Sequence, residues 1–118
     1  MKPQAAATIL QVTNVDISAR YYAQVLGFTE VFRYGDFAGV EYGNALIYLS
    51  GPAHDMKKLT GEGSLYIFCD EVDDYYKLVT ANGAEITFTI DNRGYGMRDF
   101  GVQDPDGNAI TFGTECKV

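Results

Sequence analysis

The stretch Gly94–Phe112, GYGMRDFGVQDPDGNAITF, reads as two β-forming segments joined at an Asp-Pro-Asp-Gly-Asn turn. Residues of these types punctuate strands because each favours a turn for its own reason. Either the hairpin carries a catalytic or metal-binding group, or it walls a pocket. What precedes it decides the fold. Ser64–Asp70, SLYIFCD, is a strand; Val72–Asn82 is a helix with acidic residues in its first turn and Gly83 at its end. Glu85–Ile90, Met97–Gln103 and Ala109–Thr114 then supply three strands, which makes the order βαβββ.

The same order occurs once before. Thr8–Thr13, TILQVT, is a strand. Asp16 is the expected cap of a helix in which Ile17, Tyr21, Gln24, Val25 and Phe28 keep helical spacing, and Gly27 stands where a left-handed residue belongs. Phe28–Tyr34, Phe37–Tyr42 and Ala45–Ser50 follow as strands, separated by Gly35-Asp36 and Gly43-Asn44, which suit tight hairpins. The linker Gly51–Gly63 is rich in glycine and charge, as a surface connection should be. The expected fold is α+β, with two βαβββ modules at 7–50 and 64–114 forming a curved mixed sheet around a cleft, within a single domain spanning residues 1–118. The duplication is one of element order, because identity between the halves is weak.

Alternation along the strands assigns faces. Leu65, Ile67 and Cys69 suit the helix side and leave Ser64, Tyr66 and Phe68 on the cleft side. Ala45, Ile47 and Leu49 suit the core and leave Leu46, Tyr48 and Ser50 opposite, while Ile110 and Phe112 go inward and turn Thr111 to the cleft.

Composition narrows the function. The net charge is −7, from sixteen acidic and nine basic side chains, which repels phosphate backbones and anionic lipid. Nucleic acid and membrane are therefore not expected partners, whereas a cationic small molecule is compatible. No apolar run reaches the roughly 20 residues that span a bilayer, and the start lacks the pattern of an export signal, so a cytoplasmic location is expected. Cys69 and Cys116 are expected to stay free thiols.

Metal and nucleophile signals are weak. A catalytic zinc needs about three converging His, Cys or carboxylate ligands, and the one histidine, His54, falls in the linker as an expected solvated residue. No phosphate-binding loop and no nucleophile elbow is present. The run Asp70–Asp74, DEVDD, reads as a cap with favourable charge at a helix N-terminus. Aromatic surface is plentiful instead, with nine Tyr and seven Phe. Tyr21, Tyr75 and Tyr76 are expected in the core. Phe37, Tyr48, Tyr66, Phe68 and Tyr95 are expected at loop edges or on the cleft face, where planar rings hold a flat ligand or form a dimer interface.

VDISARYYAQVLGF and FGVQDPDGNAITF, set in a pair of βαβββ modules, resemble the glyoxalase, bleomycin-resistance and extradiol-dioxygenase superfamily, the vicinal oxygen chelate fold. The resemblance implies that metal-holding members place ligands where this chain has Ala7, Tyr48, Ser64 and Thr111. None of the four is a plausible ligand for a divalent transition metal. The pattern is most similar to the bleomycin resistance proteins, which implies a metal-free binder with no catalytic residues and no cofactor. In that family a flat heteroaromatic group stacks between two rings, here Phe37 and Tyr95, in clefts shared by a homodimer. Asp36 and the general acidity fit a cationic antibiotic of the bleomycin type, and Tyr48, Ser64, Tyr66, Phe68 and Thr111 complete the expected ligand site. A glyoxalase- or dioxygenase-type metalloenzyme is the alternative, and a metal-independent catalyst using Arg98, Asp99 or Asp36 near the mouth is a third possibility.

Overall fold

A computed structural model describes residues 1–54 and 59–116. Its elements run β1 Thr8–Gln11, α1 Val15–Gln24, β2 Thr29–Arg33, β3 Phe37–Tyr42, β4 Ala45–Ser50, β5 Ser64–Phe68, α2 Val72–Ala81, β6 Glu85–Asn92, β7 Met97–Gln103 and β8 Ala109–Glu115. Each βαβββ module builds a four-stranded sheet, ordered β1-β4-β3-β2 and β5-β8-β7-β6. The first strand of each lies parallel to the last and the other pairings are antiparallel, so both sheets are mixed. The class is the α+β arrangement that the sequence implies, but the curved sheet is two separate sheets, with β1 and β5 each left at an edge.

Helix α1 begins earlier than the sequence pattern indicates. Its cap is Asn14, whose side chain accepts the Ile17 N–H at 3.0 Å, and Asp16 instead pairs with Arg33 of β2 at 2.5 Å. The inner stripe is consequently Val15, Ala19, Tyr22 and Leu26, while Ile17 is half exposed. Gly27 closes the turn at φ 84, a conformation that carries no Cβ penalty in glycine. Helix α2 is entered through Glu71 at φ 45, with no side-chain cap, so DEVDD contributes only the first-turn charge of Asp73 and Asp74.

The faces follow the alternation. Val40, Ile47 and Leu49 of the first sheet and Phe100, Val102 and Ile110 of the second are fully buried on the helix side. They join Tyr22, Leu26 and Val79 in one continuous core, with Leu65, Ile67 and Cys69 packed against it. Each large side chain sealed there contributes about 1.5–3 kcal/mol. Cys69 and Cys116 are free, and burial pushes the Cys69 thiol above its ordinary range.

The Asp-Pro-Asp-Gly-Asn turn clasps the modules together. Asp106 accepts the Thr13 hydroxyl at 2.7 Å, and the buried Asp104 accepts the Tyr22 hydroxyl at 3.0 Å. Within the turn Asp104 also accepts the Asp106 and Asn108 N–H groups and the Asn108 amide, while Asn108 Oδ1 takes the Gly63 N–H at 2.8 Å. Around it, Tyr21 donates to the Gln103 carbonyl, Tyr75 to that of Leu26 and Asn82 to that of Val25. The modules thus meet through their helix sides, and their other faces turn outward. The radius of gyration is 14.5 Å, against about 13.5 Å for a compact chain of this length. Among the described residues no helix is long and apolar enough to cross a membrane.

Candidate functional site

Each outward face is built from cross-strand rows. On the first sheet, Gln11, Ser50 and Phe37 form one row, and Ile9, Tyr48 and Gly39 the next. Gly39 leaves room for the Phe32 ring, which a Cβ there would meet at 2.2 Å. Phe32 stacks on Phe37 at 6.0 Å between centroids, and Tyr48 stands edge-on to both, at 5.2 and 5.5 Å. His54, expected as a solvated loop residue, packs edge-on against Phe37 at 5.3 Å because the chain leaving β4 folds back over this face. Beside the rings, Gln11 Oε1 and Ser50 Oγ are buried with no hydrogen-bond partner among the described residues. Asp36 accepts the Ala53 N–H at 2.9 Å and lies against Gly51, where a Cβ would meet its carboxylate. It braces the loop that carries His54.

The second sheet repeats the rows as Phe68, Gly113, Asp99 and then Tyr66, Thr111, Gly101. Phe88 lies over Gly101 as Phe32 lies over Gly39. Here the place of Phe37 is taken by Asp99, whose side chain is fully buried. Its Oδ2 accepts the Tyr66 hydroxyl at 2.9 Å and the Tyr95 hydroxyl at 2.5 Å, and its Oδ1 accepts Arg93 Nε at 2.8 Å. Arg93 also donates to the Thr89 and Asp99 carbonyls, and its guanidinium sits 5.0 Å over the Phe88 ring. Burial works against ionisation of Asp99, yet hydrogen bonds from Tyr95, Arg93 and Tyr66 outweigh it and hold the carboxyl below its usual range. Burial first, then the hydrogen bond to Asp99 and its charge, push Tyr66 upward, and the hydrogen bond to Asp99 does the same to Tyr95. Tyr66 and Phe68 rings pack at 5.0 Å, and Phe68 and Tyr95 are 75% and 66% exposed.

The structure therefore gathers Phe37 and Tyr48 on one face and Tyr66, Phe68, Tyr95 and Thr111 on the other. Ser64 starts the edge strand of the second sheet, in register with Ala109. Among the described residues no ring contact links Phe37 to Tyr95. Arg98 does not reach the open face: it faces α2, where it grips Asp73 at 2.7 Å. Phe32, Arg93 and the anchoring part of Asp99 are contributions that strand alternation alone does not reveal. The same arrangement does not fit a metal. Ala7 has no donor, Tyr48, Ser64 and Thr111 carry only neutral hydroxyls, and among the described residues no three His, Cys, Asp or Glu side chains gather. Beside the free edge of β5 a groove of 1070 Å³ opens, lined by Leu46, Leu65, Phe68 and Leu78 together with Asp70 and Asp74.

Paired βαβββ modules with open, ring-lined sheets define the fold, and its chemistry depends on what those sheets carry. The chain belongs to the Glyoxalase/Bleomycin resistance protein/Dioxygenase superfamily, whose family model matches residues 4–112. Its fold is similar to that of TioX from Micromonospora sp. ML1, at a TM-score of 0.84 and 19% identity over 97% of this chain and 100% of that one. It is also similar to an integron cassette protein from the mobile metagenome of V. cholerae, at a TM-score of 0.76 and 24% identity over 97% and 96% of the two chains. A lactoylglutathione lyase from Agrobacterium tumefaciens gives a TM-score of 0.77 at 22% identity, covering 96% of each. The search of curated proteins finds no match.

Proposed function

We propose that this protein is a metal-free, cytoplasmic small-molecule binder resembling the bleomycin resistance proteins, which sequesters a planar cationic guest between aromatic rings in a cleft shared by two copies. The observation that carries this reading is the content of the outward faces. Where the resemblance places the ligands of metal-holding members, this chain has Ala7, Tyr48, Ser64 and Thr111, with Tyr48 against the Phe37 ring and Thr111 beside Tyr66. Shape and ring surface, rather than Lewis acidity, are what such a face offers. The net charge of −7 favours a cationic guest, and a bleomycin-type antibiotic is the leading choice.

The packing of one chain supports sharing between copies. Phe37 and Tyr95 stand on outward faces of different modules whose helix sides are joined, so one flat guest touches both only when a second copy presents its second module to the first module of its partner. The groove beside β5 and the exposed Phe68 supply further surface for such pairing. Isothermal titration with a bleomycin-type glycopeptide tests the reading. Phe37→Ala and Tyr95→Ala are each expected to weaken binding more than tenfold, which corresponds to about 1.4 kcal/mol; unchanged affinity in both removes the stacking model. Elemental analysis separates this from the lyase or dioxygenase alternative, which requires a stoichiometric divalent metal and turnover.

A further inference from the structure

The outward face of the second sheet hides the Asp99 carboxylate completely, while Asp91 beside it and Glu115 on β8 stay exposed. Asp99 has no exposed side-chain surface, and both of its oxygens are already taken, one by Arg93 and the other by two phenol protons. Arg93 is held in turn by the Thr89 and Asp99 carbonyls and by the face of Phe88, so the carboxylate rests in a rigid shell. Gly113 makes the arrangement sterically possible, because a Cβ there would sit 2.0 Å from the Tyr66 hydroxyl and 2.9 Å from Asp99 Cβ. Tyr95 is the member with most to gain. It lies in the turn between β6 and β7, flanked by Gly94 and Gly96, and is 66% exposed. A ring so placed on so permissive a backbone is fixed by its hydroxyl on Asp99.

Building on the reading of this face as a ligand wall, we propose that Asp99 is a positioning residue which spends both phenol protons, so that Tyr66 and Tyr95 meet a guest with ring faces rather than hydroxyls. The chemical consequence is selectivity. A ring face attracts a cation through its quadrupole, and a phenol that donates to a carboxylate keeps more electron density in its ring. The charges of Asp99 and Arg93 cancel locally, so neither confronts the guest directly. The wall therefore favours a planar cationic ring over a neutral ring of the same shape, and holds it without rotamer loss at binding.

The test uses the full-length protein and two probes of one outline, 1-methylquinolinium and quinoline, the latter uncharged at mildly alkaline pH. Wild type is expected to bind the cation more tightly. Tyr95→Phe keeps the ring and loses only the anchor, and affinity for 1-methylquinolinium is expected to fall about threefold to tenfold, the range that freezing one such side chain commands, while a modest fall in Tm leaves the fold intact. Asp99→Asn is expected to lower it further and to abolish the slowly exchanging tyrosine hydroxyl proton signals that the wild type is expected to show by NMR. Tyr95→Phe binding as wild type overturns the positioning role while leaving the ligand reading intact. Equal binding of both probes by wild type overturns the charge selectivity, and binding of neither overturns the ligand reading and this proposal together.

Discussion

Tyr22 and Asp104 meet across the boundary between the two modules, the phenol donating to the carboxylate at 3.0 Å with both residues almost wholly buried. Asp104 is also the acceptor that shapes its own turn, taking the Asp106 and Asn108 N–H groups. Removing the two ends of this bond should therefore have unequal effects. Tyr22→Phe leaves the carboxylate with its remaining donors and is expected to cost about 1–2 kcal/mol, the range for losing one hydrogen bond to a charged group. Asp104→Ala strands several buried donors at once and is expected to cost more than about 3 kcal/mol. Urea unfolding of both variants checks the order; a Tyr22→Phe loss equal to that of Asp104→Ala would mean that the turn contributes nothing beyond the inter-module bond.

A second prediction concerns space. A methyl group at position 113 would stand 2.0 Å from the Tyr66 hydroxyl, whereas one at position 94 would meet nothing within 4 Å. Gly113→Ala is expected to push Tyr66 off Asp99 and lower stability by about 1–3 kcal/mol, as overpacking does. Gly94→Ala is expected to be neutral within about 0.5 kcal/mol. Thermal unfolding of the pair decides, and equal Tm values would show that the Tyr66–Asp99 contact yields without loss.

The titrating groups predict opposite behaviour at the two ends of the pH scale. Asp99 is held below its ordinary value of 3.8, so it stabilises the fold above that value and the contribution disappears as pH falls through its lower folded value. Asp99→Asn should flatten this acid slope. Burial raises Tyr21 from 10.0 to about 12, and it raises Tyr22 and Tyr75 as well. For these phenols the neutral form is the folded one, so their contribution is complete below pH 10.0 and is lost as pH climbs towards the folded values. Tyrosinate absorbance in these positions is expected to appear with alkaline unfolding, followed by circular dichroism. Ionisation of all the tyrosines ahead of unfolding would contradict the burial argument.

How much of this the residues reveal in advance depends on how local the controlling physics is. Phe37–Tyr42, Ala45–Ser50 and Met97–Gln103 end where their turn residues place them, because Gly43-Asn44 and Asp-Pro-Asp-Gly-Asn act through their own backbones. The start of α1 is harder, since Asn14 and Asp16 are both capable caps and only the tertiary pairing of Asp16 with Arg33 separates them. The rings of Tyr48, Tyr66 and Phe68 are legible on the outward faces because β4 and β5 alternate regularly. Phe32, Phe88 and Arg93 are not, because the register slips between Glu30 and Phe32 in β2, and again on either side of Phe88 in β6. Such irregularities re-aim side chains against the simple period. They lay Phe32 over Gly39 and Phe88 over Gly101, and they let Arg93 reach Asp99, a contact no spacing rule contains.

The last prediction distinguishes a cleft shared by two copies from one contained in a single chain. If Phe37 of one copy and Tyr95 of the other face the same guest, a dimer holds two equivalent clefts. Phe37→Ala alone damages both, and so does Tyr95→Ala alone. A heterodimer of the two variants behaves differently: one cleft combines both lesions, and the other combines an intact Phe37 with an intact Tyr95. Co-expressing differently tagged Phe37→Ala and Tyr95→Ala chains and isolating the mixed dimer should therefore restore wild-type affinity at half the wild-type stoichiometry in calorimetric titration. A cleft within one chain gives no such rescue, because every chain carries one lesion. Mixed dimers as weak as their parents, or a wild type that sediments as a monomer at the concentrations where it binds, would remove the shared cleft from the proposed function.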